Sequence, residues 1–302
     1  ASRDTHPYRS SVEASAGEPT PLPRASSRRP SARWDISLFA ASSLVLGAYF
    51  AWVAFDATAA QTGKSQVPIV TQGVLVLLSA IAAALAASSA LRRRFDRATK
   101  RAWLFFAIAQ TATGIVSASW VYRLASGNSV AGPATIQLIA ATYYFFVLWA
   151  LVTFPVRGVE PRDRATFWLD SAIVASVAAV LTWHLLLRAA LISADSDWRT
   201  SMYALAYPVG DVVLLFAAIA LLLRRPLPGS VGAIRILAVS ILLNTAADVA
   251  FMWAYITKES AGTTFLYLAF ALIAWMATAA AFSQSRSRRL RVSRAVDAAQ
   301  EP

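Results

Sequence analysis

From residue 34 onward the chain alternates between apolar blocks of about twenty residues and short connectors rich in arginine. An α-helix rises 1.5 Å per residue, so about twenty apolar residues cross the ~30 Å hydrocarbon core of a bilayer. Eight blocks meet that length: 34–55, 67–91, 102–121, 134–154, 167–187, 201–223, 236–256 and 265–283. Short connectors favour antiparallel neighbours. The expected fold is all-α, a polytopic membrane bundle of about eight transmembrane helices with both termini cytoplasmic.

The flanking segments have a different character. Residues 1–33 are rich in Ser, Pro, Ala and Arg and nearly devoid of large apolar side chains. Such a segment cannot bury enough surface to offset its ordering entropy. It is expected to be a flexible basic tail, and too long a lead-in for a signal peptide. Residues 284–302 read as a polar, basic C-terminal tail. The expected organisation is therefore a tail over 1–33, a transmembrane domain over 34–283 and a tail over 284–302.

Basic residues fix the orientation. Arg24, Arg28, Arg29 and Arg33 precede the first span, and "RRRFDRATKR" follows the second. Arg157, Arg162 and Arg164 follow the fourth, Arg224, Arg225 and Arg235 the sixth, and Arg286, Arg288, Arg289, Arg291 and Arg294 the eighth. The alternate connectors and helix ends carry Lys64, Arg123, Arg188, Arg199 and Lys258. The positive-inside rule then places the arginine-rich side in the cytoplasm, as in a multi-pass protein of the bacterial cytoplasmic membrane. The formal charge of +12 thus reads as a topology signal. Its expected partners are the lipid bilayer, anionic headgroups at the cytoplasmic face and other membrane proteins, not nucleic acid.

Composition removes several chemistries. The chain is 57% hydrophobic and 15% charged, far from the quarter charged that is usual in soluble domains. It has no cysteine, so disulfides, thiol catalysis and Cys-ligated metals are excluded. Its two histidines are His6 in the tail and His184, which cannot form an intramembrane haem-holding pair. The lysines Lys64, Lys100 and Lys258 fall in predicted connectors, away from where a retinal Schiff base would sit. No HExxH, GxSxG, Walker A, kinase, cyclase or phosphodiesterase motif occurs, and the connectors are too short for a catalytic domain. No enzymatic activity, metal or cofactor is expected. Trp34, Trp52, Trp120, Trp198 and Trp253 near span ends read as an interfacial belt.

The informative residues are polar ones inside the spans. An acid at the centre of a bilayer costs about 2.5–3.5 kcal/mol on insertion scales, so it is a functional candidate by default. Asp211 lies near the middle of the sixth block and Asp248 near the middle of the seventh. Antiparallel packing would bring them to similar depth. Tyr203, Tyr207 and Asp211 share a helix face, as do Asn244 and Asp248. With no cation at that depth, at least one carboxyl should be protonated, or both should accept hydrogen bonds from neighbours. Pro208 removes a helix hydrogen bond and predicts a kink, while Gly210 would admit a close neighbour. In the fifth block Asp170 and His184 fall on roughly one face with Val177 between them, and Arg188 follows His184 by four. Asp170 would lie near the cytoplasmic end, and His184 and Arg188 in the outer half.

Several of these residues form a recognisable pattern. "LD" at Leu169 and Asp170 opens one span, and "YPxGD" at Tyr207, Pro208, Gly210 and Asp211 precedes "VVLL". Ala247, Asp248 and Phe251 follow in the next span, and "TAAAFSQSRSRRL" closes the last. On these marks residues 102–289 resemble the multipass regions that precede diguanylate cyclase, phosphodiesterase or histidine kinase modules in many bacteria. Two expected acids are absent from "TATGIVSASWVY" and "GPATIQLIAATYYFF". The resemblance implies a sensor-like or signal-coupling domain without its own effector, acting through a separate partner. A structural or assembly subunit of a larger, possibly energy-converting membrane complex is the alternative. A small proton-coupled carrier ranks third, for want of an inverted repeat.

Overall fold

A computed structural model describes residues 31–59, 66–92, 95–127, 134–155, 198–223, 229–257 and 263–298, with five further positions between 169 and 180. The described residues form seven helices and no strand. They are α1 (Ser31–Ala59), α2 (Val67–Leu91), α3 (Arg97–Ala125), α4 (Ala134–Thr153), α5 (Trp198–Leu223), α6 (Val231–Thr257) and α7 (Thr263–Ala298). Among the described residues five stretches are long and apolar enough to cross a membrane: Arg33–Asp56, Val67–Leu91, Arg97–Ala125, Val231–Phe251 and Thr264–Arg286. Leu138–Thr153 and Val209–Leu223 are shorter apolar helices. The chain is an all-helical, multi-pass membrane protein in its described parts. The block expected over 167–187 lies mostly outside them; Leu169, Ile173, Ser176, Val177 and Val180 are helical and exposed.

Local chemistry explains the helix ends. Pro68 sits in the first turn of α2, where its missing N–H costs nothing. Asp96 caps α3: one carboxyl oxygen accepts the Thr99 amide at 2.9 Å and the other accepts the Thr99 hydroxyl at 2.7 Å. Gly127, at φ +66°, supplies the left-handed residue that ends α3. α7 runs on to Ala298, where a polar tail was expected from residue 284. Its extension is mostly Ser, Arg, Leu, Val and Ala, with no proline or glycine to stop it. At 1.5 Å per residue α7 is about 54 Å long, well beyond a hydrocarbon core.

The packing order closes a ring. α2 packs along α3 and α7, α3 along α4, α4 against α5, α5 against α6, and α6 against α7. α1 lies outside, against α2 and α7. Small residues allow the close approaches: Ala82, Ala86, Ala102, Ala109, Ala271, Ala280 and Ala281 are buried. Among the described residues the largest buried ring is Trp103, which meets Phe106 and Phe154 edge-on at 5.5 and 5.6 Å. Of the tryptophans near span ends, Trp34 and Trp253 are exposed and Trp52 and Trp120 are half-buried.

Side-chain hydrogen bonds also cross the helix pairs. Tyr49 and Thr71 share one at 2.6 Å between α1 and α2. The Trp275 indole donates to Ser43 Oγ at 3.2 Å between α7 and α1, and Ser240 Oγ to the Ile273 carbonyl at 3.3 Å between α6 and α7. Arg92, at the C-cap of α2, holds three helices at once. It forms an ion pair with Asp35 of α1 and donates to the Ser285 carbonyl of α7 at 3.2 Å. Both charged side chains are largely buried. Beside this clamp Phe39 stacks on Phe282 at 4.2 Å, and the Arg286 guanidinium lies 5.2 Å from the Phe282 ring. The start of α1, the end of α2 and the apolar end of α7 therefore share one face of the bundle.

Candidate functional site

The site forms where α4, α5 and α6 meet. Asp211 is near the midpoint of α5, Asn244 is at the midpoint of α6, and Asp248 stands one turn further along α6. Asn244 bridges the two carboxyls. Its amide nitrogen donates to Asp211 Oδ1 at 3.2 Å and to Asp248 Oδ2 at 2.7 Å. An asparagine amide has two hydrogens, so one group can serve both acids. Asp211 is 2% exposed, and Asn244 and Asp248 are half-buried. Asp211 Oδ2 is buried without a hydrogen-bond partner, and the Asp248 carboxyl and Tyr144 are neighbours of the Asp211 carboxyl.

Helix α4 closes the cluster. Tyr144 lies beside Asp211, and Tyr143 is within electrostatic reach of both carboxyls. The two rings meet edge-on at 5.3 Å. Gly210 makes this approach possible: a Cβ there would lie 2.5, 2.7 and 2.9 Å from Tyr144 Cδ1, Cε1 and Cγ. The Cγ distance matters most, because rotating the ring about its own axis leaves that atom in place. The glycine of the "YPxGD" stretch is thus an aromatic seat next to the buried acid.

Of the residues singled out in the sequence, Asp211, Asn244 and Asp248 come together, and Gly210 packs beside them. Tyr207 and Pro208 lie in α5, which is one helix from Trp198 to Leu223. The helix continues through Pro208. Asp170, His184 and Arg188 lie outside the described residues. Tyr143 and Tyr144 were missed because "GPATIQLIAATYYFF" drew notice for its lack of acid. The double tyrosine halfway along an apolar helix was the available signal. Asp35 was missed too, although a lone acid opening a span that faces an arginine-rich connector predicts such an ion pair.

Chemically, the cluster offers two carboxyls, an amide and two phenols in a setting shielded from water. Among the described residues no three His, Asp or Glu side chains gather as metal ligands. No protein-family model, curated protein or solved structure matches the chain.

Gly210→Ala is expected to destabilise the bundle by about 1–3 kcal/mol, the usual overpacking range. This exceeds the ~1 kcal/mol that alanine gains over glycine in a helix. Combining it with Tyr144→Ala should remove the clash, so the second substitution should cost less in the Gly210→Ala background than in the wild type. Thermal unfolding in detergent checks this; a neutral or stabilising Gly210→Ala would contradict the close approach.

Proposed function

We propose that this chain is a non-catalytic membrane domain that senses or couples a signal to a separate partner, with the Asp211–Asn244–Asp248 cluster as its responsive core. The observation that carries the reading is the pair of acids bridged across two helices at mid-bundle. Two central aspartates cost about 5–7 kcal/mol on insertion scales. Interhelical hydrogen bonds in membranes return about 0.6–1.7 kcal/mol each. The bridge does not repay the acids, so stability alone is a poor reason for having them. The cluster also has an outlet: α6 packs on α7, and α7 leaves its apolar segment as an unbroken helix. The "YPxGD" resemblance to sensor-like membrane regions supports the same reading.

A structural subunit of a larger membrane complex is the second reading. One amide serving both acids is also how a purely structural cluster would satisfy itself. A carrier is less well supported, since α5 is not discontinuous at Pro208.

The deciding experiment replaces the native copy with Asp211→Asn/Asp248→Asn in the source cell. The coupling reading expects normal insertion together with the cellular phenotype of a deletion. Normal insertion with no phenotype, in a strain where deletion has one, would reject it. The scaffold reading instead expects deletion to dissolve a large assembly on native gels.

The proposed topology is eight crossings with both ends in the cytoplasm of a bacterial cell. Asp35 and Ser285 both bind Arg92, so the bundle begins and ends on one face. Such a chain crosses an even number of times. Seven described helices, each taken as a crossing, require one more between residues 155 and 198, where 167–187 supplies the apolar length. With no native cysteine, single-cysteine labelling gives a clean test. Ser26→Cys and Ser293→Cys should resist an impermeant maleimide in intact cells, while Ser65→Cys and Ser260→Cys react. Labelling of just one of the two terminal positions would overturn the even count.

A further inference from the structure

The far end of α7 carries a feature that the polar cluster does not use. The helix continues to Ala298, past its apolar stretch Thr264–Arg286. That stretch of 23 residues is about 34 Å long by helical rise, so Arg286 stands at the edge of the ~30 Å hydrocarbon core. Arg291 and Arg294 follow about 8 and 12 Å further out. The headgroup layer adds only about 5–8 Å on each side. The last turns of α7 therefore stand clear of the headgroups on the arginine-rich face.

The root of this extension is held on three sides. Phe282 stacks on Phe39 of α1, and the Ser285 carbonyl accepts from Arg92 of α2. α6 approaches on the third side, where a Cβ on Gly232 would come within 3.3 Å of Ser283 Oγ. Gln284 and Ser285 are buried. A helix gripped in this way leaves the bundle at a set angle and rotation. One of the helices that grip it, α6, also carries Asn244 and Asp248 of the central cluster.

Charge names what the extension can meet. Residues 286–298 hold five arginines and one acid, Asp297. Arg288, Arg291 and Arg294 recur every third residue, so they are successive neighbours along about 9 Å of helix. Like charges that close weaken a solvated helix, and carboxylates laid along it would relieve them. The apolar positions do not suit a helix lying on lipid. Leu290 and Val292 are two residues apart and so fall on opposite sides.

We propose that the α7 extension docks an acidic segment of a separate protein at the arginine-rich face, with carboxylates set along Arg288, Arg291 and Arg294. This rests on the reading of the chain as a coupling domain and supplies the chemistry of its partner. It differs from headgroup attraction, which acts at the lipid surface and needs no helix beyond it.

The test is fluorescence anisotropy with the full chain in phosphatidylcholine nanodiscs. The probe is a labelled alanine-based helical peptide with glutamate at every third position, beside its glutamine counterpart. The wild type should bind the glutamate form and not the glutamine form, and added salt should weaken the binding. Arg291→Gln/Arg294→Gln should weaken it about fivefold, the scale of two exposed ion pairs. Glutamine is close to arginine in helix propensity, so the extension keeps its helix. Arg97→Gln/Arg101→Gln removes the same charge from exposed positions at the start of α3 and should leave binding unchanged. The difference between the wild type and the α7 variant should persist when phosphatidylglycerol is added to the discs. No binding to the wild type, or equal loss in both double variants, would overturn the proposal. Disappearance of the difference with phosphatidylglycerol would assign the extension to the membrane and overturn it too. The readout needs no cellular signal, so it fails or succeeds independently of the Asp211/Asp248 phenotype.

Discussion

A carboxyl in hydrocarbon has no water to turn to, and that constraint organises the middle of this bundle. Asp211 is buried on α5, and its nearest relief is an amide on the next helix. Asn244 also serves Asp248, so α5 and α6 must keep the spacing and rotation that hold one amide between two acids. The Tyr144 ring fills the third side, and it fits because residue 210 has no side chain. Polar satisfaction and steric fit therefore fall on the same turn of α5. A change in either is felt by the other.

The same constraint recurs at the bundle's arginine-rich face with the opposite solution. There Asp35 has a cation, and Arg92 joins α1, α2 and α7 through an ion pair and a carbonyl. A paired charge near an interface can draw on headgroups and snorkel toward water. A pair of acids at mid-depth cannot. The clamp thus reads as a structural tie, whereas the central cluster bears a cost that its hydrogen bonds do not return. That contrast separates the two polar centres in meaning, although both are buried. α7 links them physically: it packs on α6 beside the cluster and accepts from Arg92 at Ser285.

Much of this was legible in the sequence, for identifiable reasons. Blocks of twenty apolar residues leave little alternative to membrane helices, and an acid among them stands out against its background. Asp211 and Asp248 could be placed at one depth from antiparallel order alone. Asn244 followed from the four-residue spacing. Tyr143 and Tyr144 were hidden because tyrosine is ordinary in apolar helices, and its polar end shows its use only in three dimensions. Arg92 was hidden differently: one arginine in a run of them cannot be told from a topology signal. Pro208 does not end α5, since a missing N–H and a displaced carbonyl are tolerated in a membrane helix where neighbours or a local adjustment accommodate them. The extent of α7 was misjudged because arginine and serine were read as tail composition. Arginine is in fact a good helix former, and a helix already nucleated in the membrane extends at little cost.

The central claim is that Asp211 and Asn244 are energetically coupled across the α5–α6 contact. A double-mutant cycle of Asp211→Ala and Asn244→Ala, measured by reversible unfolding in lipid micelles, tests it most directly. The account predicts a coupling of about 1 kcal/mol, within the range known for membrane hydrogen bonds. Effects that add to within about 0.3 kcal/mol would show that the two residues do not interact and would contradict the account.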